Sequence, residues 1–158
     1  MTIVIKPIGY IESPFKEKKG VPIQPCFSNA FGTVIVDPKY AEGLKDLDGF
    51  SHIMLIYYFD RSERVDLVTK PFLDEKLHGV FATRSPHRPS KIGVSIVKLV
   101  KVEGNKILVK GIDTLDQTPL IDIKPFVPYF DCYNASNYSV GWLSDKIERA
   151  EKEGKATS

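Results

Sequence analysis

Arg84 and Arg88 stand in the run Phe81-Ala82-Thr83-Arg84-Ser85-Pro86-His87-Arg88-Pro89-Ser90-Lys91-Ile92-Gly93, which also holds a lysine, a histidine and two prolines. Proline removes backbone freedom, so the arginines are aimed. The planar guanidinium fork suits a carboxylate or a phosphate. A second stretch, Gly111-Ile112-Asp113-Thr114-Leu115-Asp116-Gln117-Thr118-Pro119, sets two acids three apart at the end of a strand-like run. Either acid could act as a general base or favour a cation. The plain alternative is Asx-turn hydrogen bonding. No third or fourth ligand is spaced for a metal. The loop Pro22-Ile23-Gln24-Pro25 either presents Gln24 and backbone groups to a ligand or is simply stiff. Asp122-Ile123-Lys124-Pro125-Phe126-Val127-Pro128-Tyr129 reads as packing at a barrel end or an interface, with Lys124 a phosphate contact or a surface lysine.

Other chemistries find no support. His52, His78 and His87 are scattered without an HExxH, and Ser51-His52 lacks a GxSxG elbow. Cys26 and Cys132 have no CxxC spacing and no visible activating neighbour, so both read as inert. No GxGxxG follows a strand and no GxxxxGK[ST] occurs, which argues against a Rossmann site or a P-loop.

The elements that must position these residues are short. Residues 3–11 read as a first strand, 13–29 as a long proline-broken loop, and 31–36 as a strand closed by Asp37-Pro38. Residues 40–46 look like a short helix, and Asp48-Gly49 a turn. The strand 50–59 is apolar on both alternating faces, which predicts cover on both sides: the core, and a helix or second subunit. Residues 78–83, 92–103, 106–112 and 118–123 are further strands. Gly104-Asn105 suits a type II′ hairpin turn. Residues 144–153 read as a helix with Ser144 as N-cap and Gly154 as its stop, and the tail 155–158 is expected to fray. Turn-punctuated short strands predict an all-β barrel or sandwich.

The 158 residues argue for one domain, with residues 1–139 as the β domain and 140–158 as the C-terminal helix and tail. Hydrophobic residues make up 42% and charged residues 27%, which argues against disorder. A net charge of +2 neither announces nor excludes nucleic-acid binding, since a basic patch can coexist with a balanced total. No apolar run reaches transmembrane length, and Lys6-Pro7 cuts short any signal-like N-terminus, so a cytoplasmic, reduced protein without a membrane partner is expected. Two asparagine sequons at 134–139 carry no meaning without secretion.

Taken together, six motifs resemble one family: Ile8-Gly9-Tyr10-Ile11-Glu12-Ser13-Pro14-Phe15; Pro22-Ile23-Gln24-Pro25; Leu47-Asp48-Gly49-Phe50-Ser51-His52; Gly79-Val80-Phe81-Ala82-Thr83-Arg84-Ser85-Pro86; Arg88-Pro89 with Ile92-Gly93; and Asp113-Thr114-Leu115-Asp116 running into Asp122-Ile123-Lys124-Pro125-Phe126. The chain is similar, over residues 5–129, to the TsaA-like or TrmO family, in a short form without the C-terminal domain of larger members. The resemblance implies a single-sheeted antiparallel β-barrel that works as a homodimer. It implies S-adenosylmethionine as cofactor and methyl transfer to N6 of the threonylcarbamoyl-adenosine beside the anticodon of tRNA. The matching positions imply cofactor contacts at Ile23, Gln24, Asp60, Arg61, Arg84, Val94, Ile112, Asp113, Thr114 and Leu115. Asp113 and Asp116 are the candidate bases, and Lys16, Lys18, Lys19, Arg88 and Lys91 candidate phosphate contacts. Where the family reads RPNPIG this chain has Ser90-Lys91, and its DGTP becomes Asp116-Gln117-Thr118-Pro119. The alternatives are a methyltransferase with another acceptor, or a non-catalytic cofactor- or RNA-binding module.

Overall fold

Six antiparallel strands close on themselves in the computed structural model, which describes residues 1–133 and 138–154. They are β1 (Gly9–Glu12), β2 (Phe31–Val36), β3 (His52–Tyr58), β6 (Ile92–Glu103), β7 (Lys106–Lys110) and β8 (Thr118–Pro125). Their order around the barrel is β1-β2-β7-β6-β3-β8, and β8 pairs back onto β1. A two-stranded ribbon, β4 (Val68–Thr69) with β5 (His78–Gly79), stands apart from the barrel sheet. Among the described residues two short α-helices follow β8: α1 (Pro128–Asp131) and α2 (Ile147–Glu153).

Period-2 alternation sorts the strand residues. Ile11, Val34, Val36, Ile53, Leu55, Val97, Ile107, Val109 and Leu120 are buried and fill the barrel. Each such side chain contributes roughly 1.5–3 kcal/mol by leaving water. Closure also removes the free sheet edges that would invite aggregation. Gly104, at φ 60, makes the expected hairpin turn between β6 and β7.

Several boundaries differ from expectation. Only Gly9–Glu12 of the first apolar run is strand, where β2 pairs with all four residues and β8 with Gly9–Ile11; Ile3, Val4 and Ile5 stay exposed. The short helix is a 3₁₀ helix over Pro38–Leu44. The strand expected at 78–83 is the two-residue β5 followed by a 3₁₀ turn at Val80–Ala82. The last helix starts at Ile147 rather than Ser144, since a 3₁₀ turn at Gly141–Leu143 uses the preceding residues and Lys146 takes the N-cap position. The sequons fall partly, and the tail 155–158 wholly, outside the described residues.

The core covers one face of strand β3, and on the other face His52, Met54 and Ile56 are half-buried. Ile53, Leu55 and Tyr57 point into the core, while Tyr58 is exposed on the outer side together with Ile92, Val94 and Ile96 of β6. No helix among the described residues is long and apolar enough to cross a membrane.

Candidate functional site

The inward-facing set of β6 includes two small residues, Gly93 and Ser95, ahead of Val97 and Leu99. A Cβ at Gly93 would stand 2.4 Å from the Tyr57 ring and 2.7 Å from that of Phe59. The glycine therefore lets two aromatic rings reach across the barrel end, where they meet edge to face at 5.3 Å. Two positions further on, the buried Ser95 Oγ donates to Asp113 Oδ1 at 2.6 Å and lies 2.9 Å from the Tyr57 hydroxyl. A serine hydroxyl has one hydrogen, and the carboxylate takes it, so Tyr57 must donate to Ser95. The result is a directed chain: Tyr57 to Ser95 to Asp113.

The loop after β7 carries Asp113. Gly111, at φ 95, turns the chain out of the sheet in a conformation that favours glycine. Its N–H donates to the Ala30 carbonyl at 2.8 Å, and Ser28 Oγ donates to the Ile112 carbonyl at 2.6 Å. Ile112 is fully buried in the core and anchors the loop. Burial pushes the Asp113 carboxyl up to about 6, partly offset by the Ser95 hydrogen bond and by the charge of Arg84. Burial, with the Asp113 charge, also pushes the Tyr57 phenol up, which keeps it a donor.

A cavity of about 160 Å³ opens beside this chain, lined by Tyr57, Phe59, Asp60, Arg61, Asp113, Thr114 and Leu115, with Lys18, Val21, Ser62, Pro86 and Thr118 completing its wall. Arg61 Nη2 donates to Thr118 Oγ1 at 3.1 Å, and Thr118 Oγ1 donates to the Leu115 carbonyl at 2.6 Å. The Thr114 hydroxyl is buried and has no hydrogen-bond partner among the described residues. An unmet buried hydroxyl costs about 1–3 kcal/mol. Arg84 and Gln24 stand on two other loops and are not part of the cavity wall; Arg84 Nη1 donates to Gln24 Oε1. Arg84 acts electrostatically on both Asp113 and Cys26, which sets it at the same barrel end. Burial raises the Cys26 thiol, so that cysteine is a poor nucleophile.

The remaining candidate residues lie elsewhere. Asp116 faces a separate depression lined by Glu12, Ser13, Lys16, Thr33 and Gln117. It accepts from Lys16 Nζ at 2.6 Å and from the Ser13 amide at 2.9 Å. Burial pushes its carboxyl up, but those bonds outweigh burial and hold it below the ordinary range. Val94 pairs with Ile56 on the outer face of β6, outside the cavity. Arg88 and Lys91, offered above as phosphate contacts, turn inward. Arg88 Nη1 braces the Thr83 and Ser85 carbonyls at 3.0 and 3.2 Å, and Lys91 Nζ donates to the Ser62 carbonyl at 2.6 Å. Lys91 has φ 51, a value closed to proline, so the turn before β6 is built differently from an Asn-Pro turn.

Sequence reasoning missed Tyr57, Phe59 and Ser95. The available signal was Gly93 and Ser95 in an otherwise apolar inward set. The described residues hold no group of three or more His, Cys, Asp or Glu side chains arranged for a metal ion.

A family profile described as "tRNA-methyltransferase O N-terminal domain" matches residues 10–132. A probable S-adenosyl-L-methionine-binding protein of Pyrococcus abyssi is 49% identical over 96% of this chain and 82% of its own length. A mouse tRNA (adenine(37)-N6)-methyltransferase is 35% identical over 99% of this chain but only 38% of its own length. The solved structure of TrmO from Pseudomonas aeruginosa superposes with a TM-score of 0.75 at 39% identity, covering 90% of this chain and 63% of that one. The chain thus spans less than two thirds of the solved relative and about two fifths of the mouse enzyme.

Proposed function

Because the chain belongs to the tRNA-methyltransferase O N-terminal domain family, we propose that it is an S-adenosylmethionine-dependent methyltransferase acting on N6 of the threonylcarbamoyl-adenosine at position 37 of tRNA. The observation that carries this reading is the buried Asp113 carboxylate, held by Ser95 and Tyr57 at the wall of a cavity that also holds an unmet hydroxyl. S-adenosylmethionine, when bound, supplies a methyl group on a cationic sulfur.

The residues present suit that cofactor. Arg84, braced by Gln24, pairs with a carboxylate. The faces of Tyr57 and Phe59 and the charge of Asp113 favour a cation. The Thr114 hydroxyl and the Asp60 carboxylate offer hydrogen bonds to polar groups entering the cavity. Leu115 adds apolar wall, and the Ile23 and Ile112 backbones hold the two loops that frame the site.

The acceptor nitrogen belongs to a urea, and its lone pair is delocalised. It becomes a competent nucleophile as its proton leaves. Asp113 takes that proton. Its carboxyl, raised to about 6, is ionised at neutral pH yet more basic than an ordinary aspartate. Ser95 and Tyr57 fix the orientation of the base, and alignment in the cavity supplies much of the rate. Asp116, neutralised by Lys16, is a structural acid in this reading. Lys18 and Lys19 remain the exposed cations that meet tRNA phosphates, which predicts affinity that falls steeply with salt.

The working form is a homodimer in the cytoplasm. The outer face of β3 and β6, with Tyr58, Ile92, Val94 and Ile96 exposed, supports a second copy as its cover. Val94→Asp should then yield a monomer by sedimentation; an unchanged mass would count against this face.

The test of the activity is methyl-labelled S-adenosylmethionine with tRNA that carries the threonylcarbamoyl group, against tRNA that lacks it. Label entering only the modified tRNA is the expected result. Cofactor binding without transfer would move the reading to another acceptor or to a binding module.

A further inference from the structure

Beyond residue 132 the chain leaves the stretch matched by the family profile. The segment 138–154 reaches the two loops that bear Gln24 and Arg84. Trp142 is the single tryptophan of the chain. Its indole Nε1–H donates to the Ala82 carbonyl at 2.8 Å, two residues before Arg84. Its ring stacks on His78 with centroids 4.5 Å apart and planes 18° from parallel. His78 Nε2 lies 2.7 Å from Asp74 Oδ2, and Lys146 Nζ stands 3.9 Å from the other carboxylate oxygen. From α2, Arg149 donates to the Leu73 and Phe72 carbonyls at 3.1 and 3.3 Å. The stretch 72–82 that leads into Arg84 is therefore held near both its start and its end.

The end of α2 meets the other loop. The Ile23 amide donates to the Gly154 carbonyl at 3.1 Å, one residue before Gln24. A Cβ at Gly154 would stand 2.5 Å from the Ala150 carbonyl of α2 itself, 2.8 Å from Phe27 and 2.9 Å from Ile23. Gly154 has φ −78, so space, and not a left-handed turn, explains the glycine. A helix of seven residues is marginal alone, so these contacts are what place it.

We propose that Trp142 and Gly154 are positioning residues of the cofactor site: segment 138–154 clamps the Ile23-Gln24 loop and the Ala82-Arg84 loop together and preforms the Gln24–Arg84 pair. This rests on the cofactor reading given above. Arg84 is an exposed side chain on an irregular loop, and ordering such a side chain at the moment of binding weakens affinity. The clamp moves that ordering into folding. By linkage, a cofactor that tightens Arg84 must also tighten the docking of Trp142 by the same factor.

The experiment uses the full chain and three variants: Trp142→Ala, Trp142→Phe and Gly154→Val. Calorimetric Kd for S-adenosylmethionine, KM and kcat of methylation, and thermal unfolding are measured together. Trp142→Ala, losing one hydrogen bond and one stacked pair, should raise Kd and KM for the cofactor about tenfold, with kcat within about twofold and tRNA KM unchanged. Trp142→Phe keeps the stack and loses the hydrogen bond, so it should fall between, at about threefold. Gly154→Val should resemble Trp142→Ala through the other loop. The tryptophan emission of the unaltered chain should shift when the cofactor binds. Unchanged cofactor affinity in both Trp142→Ala and Gly154→Val, with the unaltered chain binding normally, would overturn the positioning role alone. An equal fall in kcat, or a broadly lowered melting temperature in Trp142→Phe with no change in KM, would mark these residues as structural and overturn it as well. An unaltered chain that binds no S-adenosylmethionine would overturn the cofactor reading, and the positioning role with it.

Discussion

Asp113 lies under Ser95 and Tyr57 at the wall of the cavity, whereas Asp116, three residues on, faces the depression beside β1 and is matched by Lys16. Burial without a close cation raises the first carboxyl; a lysine and an amide lower the second. Two identical side chains thus acquire opposite tasks. The first is left with unspent basicity at the cavity, and the second is committed to holding the chain just after β1 against the acid loop. What separates them is the sharp turn after Gly111 and the inward serine on β6, neither of which is visible in the spacing of the acids.

The comparison breaks most visibly in rate. Asp113→Asn should lower kcat/KM for methylation by about 10²–10⁴, the usual span for a lost general base. Asp116→Asn should stay within about threefold, because its partners are Lys16 and the Ser13 amide and not the cavity. Equal losses in the two variants would erase the distinction drawn here.

Next comes binding. Arg84→Ala removes a charge-assisted contact and leaves Gln24 without its partner. It should weaken S-adenosylmethionine by about 10–100-fold in a calorimetric titration, while leaving the melting temperature nearly unchanged.

Stability sharpens the comparison further. Gly93→Ala places a methyl group against Tyr57 and Phe59 and should cost about 1–3 kcal/mol in denaturant unfolding. The variant should lose cofactor affinity as well, since the same two rings line the cavity.

The pH dependence carries the clearest sign. Asp113 titrates at about 6 when folded against 3.8 as its ordinary value, so the folded state holds the extra proton between those values. Folding stability should fall as pH rises from about 4 to about 6 and remain lower above it. Asp113→Asn should remove that fall and leave the variant more stable at neutral pH by on the order of 3 kcal/mol. Asp116 has the opposite sign. Its carboxyl is depressed on folding, so its contribution is present above the ordinary value and is lost as pH falls through the folded one. Melting curves of both Asn variants across pH 3–8 would separate the two slopes. The rate should track the same group, with kcat/KM rising to a plateau above about 6.

Much of this was legible in one dimension. Strand β2 and the β6–β7 hairpin follow their expected bounds closely, because alternation and a Gly-Asn turn are local signals. The loops around Gln24, Arg84 and Asp113 stood out because prolines, arginines and paired acids are not what cores require. Less was legible at the ends. The first apolar run shrank to four strand residues and the last helix to seven, because strand and helix ends are set by partners that lie elsewhere in the chain. The basic run was legible as a motif but not as a set of roles: Arg84 reaches Gln24, while Arg88 folds back on its own loop.

By itself, then, the sequence determined the strand-rich class, the family and which loops concentrate arginines, acids and prolines, since these follow from residue type and local spacing. Which acid is raised, which arginine reaches Gln24, and that a tryptophan near the C-terminus braces the loop before Arg84 were decided only by the closed barrel. Those properties depend on burial and on contacts between residues 18–77 positions apart, and no local pattern encodes such distances.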